Sequence, residues 1–157
     1  MKKRLFYFLF ILFVVMVDQG SKLFILTELP VYSRINVIPG FFNLTHIHNR
    51  GAIFGFLSQT ESQSVYYLLM LASLMALGLV AYYFFKTSPQ ERFLQISLSL
   101  IIAGALGNLL DRIFRGYVID FLDFYIKKWH WPSFNVADAS VSMGAVFLIA
   151  VLIFKRK

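Results

Sequence analysis

No cysteine occurs among the 157 residues, which excludes a disulfide framework, a thiolate metal centre, a cysteine nucleophile and a lipid anchor on the chain's own Cys. Charge is also scarce. Only 15% of residues are charged, against about 25% in an ordinary soluble domain, so a surface facing water would be short of polar cover. Acids are the rarer sign, eight against fifteen Lys and Arg, for a net charge of +7. The basic residues stand in short clusters beside apolar runs and not along one helix face, so anionic lipid headgroups suit them better than nucleic acid. What the chain has in abundance is apolar surface: 59% hydrophobic residues, 18% aromatic, mean hydropathy +0.69. Lipid is the indicated solvent.

Four apolar runs approach the roughly 20 residues a helix needs to cross about 30 Å of hydrocarbon. Leu5 to Val17 is thirteen apolar residues, resuming after Lys22 at Leu23 to Leu26; Val65 to Phe85 is 21 residues without a charge. Phe93 to Leu110 is 18 without a charge, and Ala139 to Phe154 is 16, completed by Val136 to Asp138. The expected fold is a membrane all-α bundle of four transmembrane helices, at about 5–26, 65–85, 93–112 and 137–154, in a single domain over 1–157. Lys2-Lys3-Arg4 and the run behind it resemble a secretory signal peptide, but no small-x-small cleavage site follows, so this first helix is expected to be retained. The termini and the loop between spans two and three hold Lys2, Lys3, Arg4, Lys86, Arg92, Lys155, Arg156 and Lys157 against one acid, Glu91. The positive-inside rule then puts both termini in the cytoplasm and two longer segments outside.

The first outer segment, about 31–55, alternates Val, Ile, Phe and Thr with polar residues around Pro39-Gly40, which predicts a small β-structure turning there. In the outer loop at about 113–136, Tyr117 to Ile126 suits either an edge strand or a short interfacial helix, the latter aligning Asp120 with Asp123. Tyr66, Tyr67, Tyr82 and Tyr83 at the ends of span two, and Trp129 and Trp131 in that loop, have the character of interface anchors.

Polar groups inside the spans point to function, because an ionisable side chain in hydrocarbon costs several kcal/mol unless paired or facing water. At about 1.5 Å per residue, Asp18, Asn108 and Asp138 all fall roughly 20 to 24 Å from the inner ends of their helices. One polar tier near the outer boundary results, with Lys22, Asp111 and Arg112 in it and Asp120 and Asn49 within reach from the loops. Each member also suits a plain structural role. Asp18 and Lys22, spaced i, i+4, form a self-contained helix pair as readily as a functional one. Asp111-Arg112 suits a structural helix end, Asn135 or Asp138 a cap of span four, and Ser99, Ala103 and Gly107 a close-packing stripe. His46 and His48 share a strand face without an acid nearby, and no metal site or cofactor is expected.

Asp120 and Asp138 each sit in apolar sequence, Val118-Ile119-Asp120-Phe121 and Val136-Ala137-Asp138-Ala139. Two such carboxyls brought together do not both ionise readily, so one keeps a proton the other lacks. The ionised member can take a proton from water as it attacks a carbonyl, while the neutral member polarises that carbonyl and protonates the leaving amine. This is peptide hydrolysis without metal or covalent intermediate.

Five blocks in order then resemble the bacterial lipoprotein signal peptidases, or signal peptidase II. Asp18-Gln19-Gly20-Ser21-Lys22 is similar to that family's D-Q-x-x-K, and Asn49-Arg50-Gly51-Ala52-Ile53-Phe54-Gly55 to its N-x-G-A-x-F-G. Gly104 to Arg112 resembles G-A-x-G-N-x-x-D-R, while Val118 to Phe121 and Phe134 to Asp138 resemble the blocks holding the catalytic aspartates. The resemblance implies a membrane aspartyl endopeptidase of the bacterial inner membrane with an extracytoplasmic β-cradle. It would cut diacylglyceryl-modified prolipoproteins just before the lipid-modified Cys and be inhibited by globomycin. Carried over by position, Asp120 and Asp138 would be catalytic; Asn49, Gly51, Asn108, Arg112 and Asn135 would orient substrate or dyad; Asp18, Lys22 and Asp111 would give structural support. Ile53 stands where small residues are common, and Ala139 where a hydroxyl is frequent. Among rivals, a small proton-coupled transporter should show repeat symmetry and mid-bilayer acids, neither of which is seen. A serine intramembrane protease needs a helix-borne His, and all three His lie in outer loops.

Overall fold

The computed structural model describes residues 2–51 and 63–154. Ala52 to Gly55 of the second block, and the basic residues at 155–157, lie outside them. In chain order the elements are α1 (Lys2–Glu28), β1 (Arg34–Ile38), β2 (Phe42–Asn49), α2 (Gln63–Lys86), α3 (Arg92–Arg115), β3 (Val118–Ile126), β4 (Trp129–His130) and α4 (Val136–Phe154). All four helices are long and apolar enough to cross a membrane. Their exposed faces are lined with Leu, Phe, Met and Ile, the residues a lipid-facing surface requires.

Helix α3 is the most enveloped and α2 the least. The α3–α4 contact is closest where glycines remove side-chain bulk. A Cβ at Gly104 would collide with the Ala137 carbonyl, one at Gly144 with the Ser97 carbonyl, and one at Gly107 would lie 2.5 Å from the Asp18 carboxylate. Toward the end of the bundle that holds the N-terminus, Tyr7, Ile11 and Val14 of α1, Phe84 of α2 and Leu98, Ile102 and Ala103 of α3 form one apolar cluster. Carbonyls at the end of α2, which no helical N–H reaches, accept from side chains there: Arg4 donates to Phe85 O and Gln95 to Phe84 O, and both also donate to Thr87 O just past the helix. Pro89 O accepts from Tyr7.

The four strands form one antiparallel sheet in the order β1-β2-β3-β4. Gly40, at φ 81, turns β1 into β2 where Pro-Gly predicted it. Helix α3 runs three residues past the expected end and stops at Gly116, whose φ of 79 is a left-handed cap and whose N–H returns to Arg112 O. The stretch Tyr117 to Ile126, open between helix and strand in the sequence, is strand β3. Its β-branched and aromatic residues pair with β2 from Asn49–Val118 to Phe42–Phe124. The alignment of Asp120 with Asp123 that a helix would have given is therefore corrected. In the strand they point to opposite faces: Asp123 meets Asn43 and His130, and Asp120 faces the bundle. Ile119 and Phe121, on the Asp123 face, pack with Ile25 and Leu29 and seat the sheet on the C-terminal end of α1.

Candidate active site

Helix α4 begins with a reciprocal cap. Asn135 Oδ1 accepts from the Asp138 N–H at 2.9 Å, and the Asp138 carboxylate accepts from the Asn135 N–H at 3.3 Å. The cap reading and the functional reading of this pair thus coincide, because the same Asn135 turns its Nδ2 to Asp120 Oδ1 at 2.8 Å. Asn49, from the end of β2, donates to the other oxygen of Asp120 at 2.8 Å and accepts from the Gly51 N–H with its own Oδ1. Asn108 of α3 donates to Asp138 Oδ1 at 2.8 Å. Both carboxylates are buried. Burial first, then the neighbouring charge of Asp138, pushes Asp120 up to about 7, against the opposing pull of the two amide donors and Lys22.

Behind this pair lies a buried ionic cluster that ties three helices together. Lys22 Nζ lies 2.9 Å from Asp18, 2.8 Å from Asp111 and 3.0 Å from Asn108 Oδ1, and all three charged groups are fully shielded from solvent. Asp18 also accepts the Ala137 N–H at 2.8 Å, one of the orphan donors of the first turn of α4. The self-contained α1 pair considered from spacing is therefore corrected: Lys22 bridges α1 and α3, and Asp18 links α1 to α4. By holding Asn108 Oδ1, Lys22 also leaves Nδ2 as the atom that faces Asp138. Asp18, Asn108 and Asp138, placed in one tier by counting rise, meet.

Asp111 pairs with Lys22 and Arg115 and accepts from the Ile119 N–H. Its sequence neighbour Arg112 turns elsewhere, donating to Gly51 O at 3.0 Å while its carbonyl accepts from Tyr66 at 2.6 Å. Arg112 thus links α3 to the segment after β2, its charge felt by Asp138, Asp120 and Asp111, without making an ion-pair contact with Asp111. Arg112→Ala is accordingly expected to cut activity strongly while costing far less stability than loss of Lys22. A melting temperature depressed as far as that of a Lys22 variant would contradict this.

Three participants carried no assignment from the sequence. Gln19 donates to Asp18, Gly107 O and Asp111; Arg115 donates to Gln19 and Asp111; Tyr66 holds the Arg112 carbonyl. Arg115 was legible, four residues after Asp111, and Gln19 stood inside the first block. Tyr66 carried only an interface signal. His46 and His48 lie apart from the aspartates: His46 Nδ1 donates to Leu29 O, and their Nε2 atoms are 3.1 Å apart. Burial, with His46 and Arg50 nearby, lowers the His48 pKa.

A cavity of about 280 Å³ opens between α2, α3 and α4, lined by Leu69, Ala72, Ala76, Leu77, Val80, Ile101 and Ala105. It ends at Asn108 and Arg112, so an apolar cleft leads to the polar tier.

Comparison with known proteins places this geometry. Residues 10–154 match a family model described as signal peptidase (SPase) II. The chain is similar to the lipoprotein signal peptidase of Syntrophus aciditrophicus, 42% identical across all of this chain and 98% of that one. That of Desulforapulum autotrophicum is 41% identical across 91% and 88%. Two solved structures of bacterial membrane enzymes determined in meso superimpose closely. One, at 2.3 Å, has a TM-score of 0.84 and 34% identity over 96% of this chain and 89% of that chain. The other, at 1.9 Å, has a TM-score of 0.80 and 35% identity over 93% and 91%.

Proposed function

The chain belongs to the signal peptidase II family, and from that premise we propose that it cleaves diacylglyceryl-modified prolipoproteins just before the modified Cys, using Asp120 and Asp138 as an acid–base pair. The observation that carries this reading is the Asn135 bridge, which engages both buried carboxyls at once at the head of α4. Asp120, titrating near neutrality, is the member that holds the shared proton. Asp138 takes a proton from water as the water oxygen bonds to the scissile carbonyl carbon, and Asp120 donates to the carbonyl oxygen. In collapse of the tetrahedral adduct Asp138 gives the proton it took from water to the nitrogen, Asp120 takes its proton back from the gem-diol oxygen and the C–N bond breaks, releasing a new carboxyl group and the free amino group of the lipidated Cys with the pair restored. No cofactor enters this account. Asn49, Asn108, Arg112 and Asn135 orient the pair and the chain against it, with Gly51 supplying a carbonyl to Arg112.

The termini are placed in the cytoplasm of a bacterial inner membrane and the polar tier near the outer face, on the strength of the basic residues at the termini and inner loop. A signal peptide crosses lipid as a helix, its backbone internally bonded, so the scissile segment must unwind at the boundary to present its carbonyl. The outer segment 34–55, of which 34–51 are described, would cover that stretch. The lipid chains of the Cys stay in the bilayer, and their burial contributes of order 0.8 kcal/mol per CH₂ toward holding the substrate in register. The apolar cleft beside Asn108 is suited to one of these apolar partners. A globomycin-type cyclic peptide would compete for the same place.

The test compares kcat/KM for one purified precursor with and without its diacylglyceryl group. The unmodified form is expected to be a very poor substrate, chiefly through weak productive binding. Equal values would sink the lipid-recognition reading even if both aspartates proved essential.

A further inference from the structure

We propose that the hairpin of β3 and β4 is a membrane-docking surface, which seats its aromatic face in the headgroup and glycerol layer of anionic phospholipid beside the helical bundle.

The strand register sorts this hairpin into two unlike faces. Ile126 lies opposite Trp129, and Phe124 opposite Trp131, whose N–H donates to the Phe124 carbonyl; directly opposed residues share a face. Phe124 stacks with Phe42 at 4.8 Å and Phe134 at 5.9 Å between ring centroids. The other face is polar: Asp123 binds Asn43 and His130, His130 stacks on Tyr125, and the Tyr125 hydroxyl takes bonds from Asn36 and Gly40. Asp123, the described acid nearest the turn, is thus engaged on the side away from the aromatic rings.

Alternation along β3 fixes which way the aromatic face looks. Asp120, Leu122, Phe124 and Ile126 share it, and at Asp120 that face meets Asn135 at the head of α4. Farther along the strand the bundle no longer lies beneath. Phe41, Phe124, Tyr125, Ile126, Trp129, Trp131 and Phe134 line an open cavity of about 380 Å³ to which none of the described helices contributes. Trp129 and Ile126 are each 63% exposed. For an extramembrane sheet seated on the end of α1 and continuous with α3, helices that end at the bilayer boundary, the medium beneath this overhang is lipid.

The turn supplies the charge that commits the face to anionic headgroups. Lys127 and Lys128 connect the two strands, and neither makes an ion pair among the described residues. Lys127 is held at φ 56, a conformation for which Gly, Asn or Asp is the usual choice. Turn chemistry therefore does not account for a lysine there, whereas two cations at the tip of an aromatic face are what an anionic interface binds.

The experiment uses an unusual property of the chain: Trp129 and Trp131 are its only tryptophans, so intrinsic emission reports on this surface alone. The protein is reconstituted in phosphatidylglycerol–phosphatidylcholine vesicles and quenched with lipids brominated high on the acyl chain, or with aqueous iodide. Brominated lipid is expected to remove most of the emission and iodide little, with Trp129→Phe and Trp131→Phe assigning the signal to each ring. Replacing Lys127 and Lys128 by Gln should lower the ratio of lipid-embedded to water-exposed tryptophan by about fivefold per lysine on anionic vesicles, and little on zwitterionic ones. Free access for iodide with silent brominated lipid would overturn the proposal. So would an emission that follows protein density in place of lipid composition, which would give the face to a second copy of the chain. None of these readouts depends on cleavage.

Discussion

Asp120→Asn and Asp138→Asn are each expected to leave a folded bundle that does not cleave, with a loss reaching or exceeding the roughly 10²–10⁴-fold that a positioned acid or base contributes. An amide keeps the shape of the carboxyl but can neither take the water's proton nor share one. Each amide keeps one acceptor oxygen, so at position 120 it can serve Asn49 or Asn135 and at position 138 Asn108 or the Asn135 N–H; one hydrogen bond of each pair is lost while the rest of the frame stays in place. The Asp120 variant carries a second, independent signature. The Asp120 pKa is raised from 3.8 to about 7 on folding, so its stabilising contribution is fully present below about pH 3.8 and lost as pH rises through about 7. The parent therefore loses this contribution across that window, and Asp120→Asn has none to lose. The melting temperature of the variant relative to the parent should move in the variant's favour between pH 4 and pH 8. Substantial turnover by either purified variant would remove that residue from the pair, and parallel melting profiles would show that Asp120 ionises as freely folded as unfolded.

Lys22→Met is expected to produce the largest loss of stability, about 3–5 kcal/mol, because it strands two buried carboxylates. Geometry decides this magnitude. An exposed i, i+4 pair is worth only about 0.3–0.5 kcal/mol, but Asp18, Lys22 and Asp111 are wholly buried and the lysine serves two helices. Arg115, partly exposed, still reaches Asp111, so Asp18 is the group left with least compensation. Neutralising it should help: Asp18→Asn combined with Lys22→Met is expected to melt above Lys22→Met alone, as measured by thermal unfolding in a fixed lipid–detergent mixture. If the single variant melts within a degree or two of the parent, the cluster does not hold the helices together.

Much of this arrangement was legible in the residues, and what was not has physical reasons. Span number follows from run length, since hydrocarbon admits so few alternatives, and the polar tier follows from counting rise along helices that cross the same slab. Rise gives depth but not azimuth. Asp18 and Lys22 were thus correctly set beside Asn108 in height, while their bridge to Asp111 depends on which way α1 and α3 turn their faces. Adjacency misled at Asp111-Arg112, because consecutive helical residues diverge by about 100° and the two side chains reach different partners. Val118 to Ile126 carries apolar residues on both faces, so neither helical nor strand periodicity stood out. Its register with β2 settled what the pattern left open.

The shared lysine also constrains how the molecule is made. As α1 enters the membrane, Asp18 and Lys22 sit one turn apart and neutralise each other, so the first span inserts without an unbalanced charge. Helix α3 likewise brings Asp111 with Arg115 one turn on. Each acid thus arrives with a partner on its own helix, and lateral association adds to these pairs the contact in which Lys22 touches both acids. Assembly therefore adds a shared partner between helices already in lipid and dissolves neither pair. A substitution that preserved the finished cluster's charge but left α1 or α3 unbalanced on its own would be arrested at insertion, before any site existed.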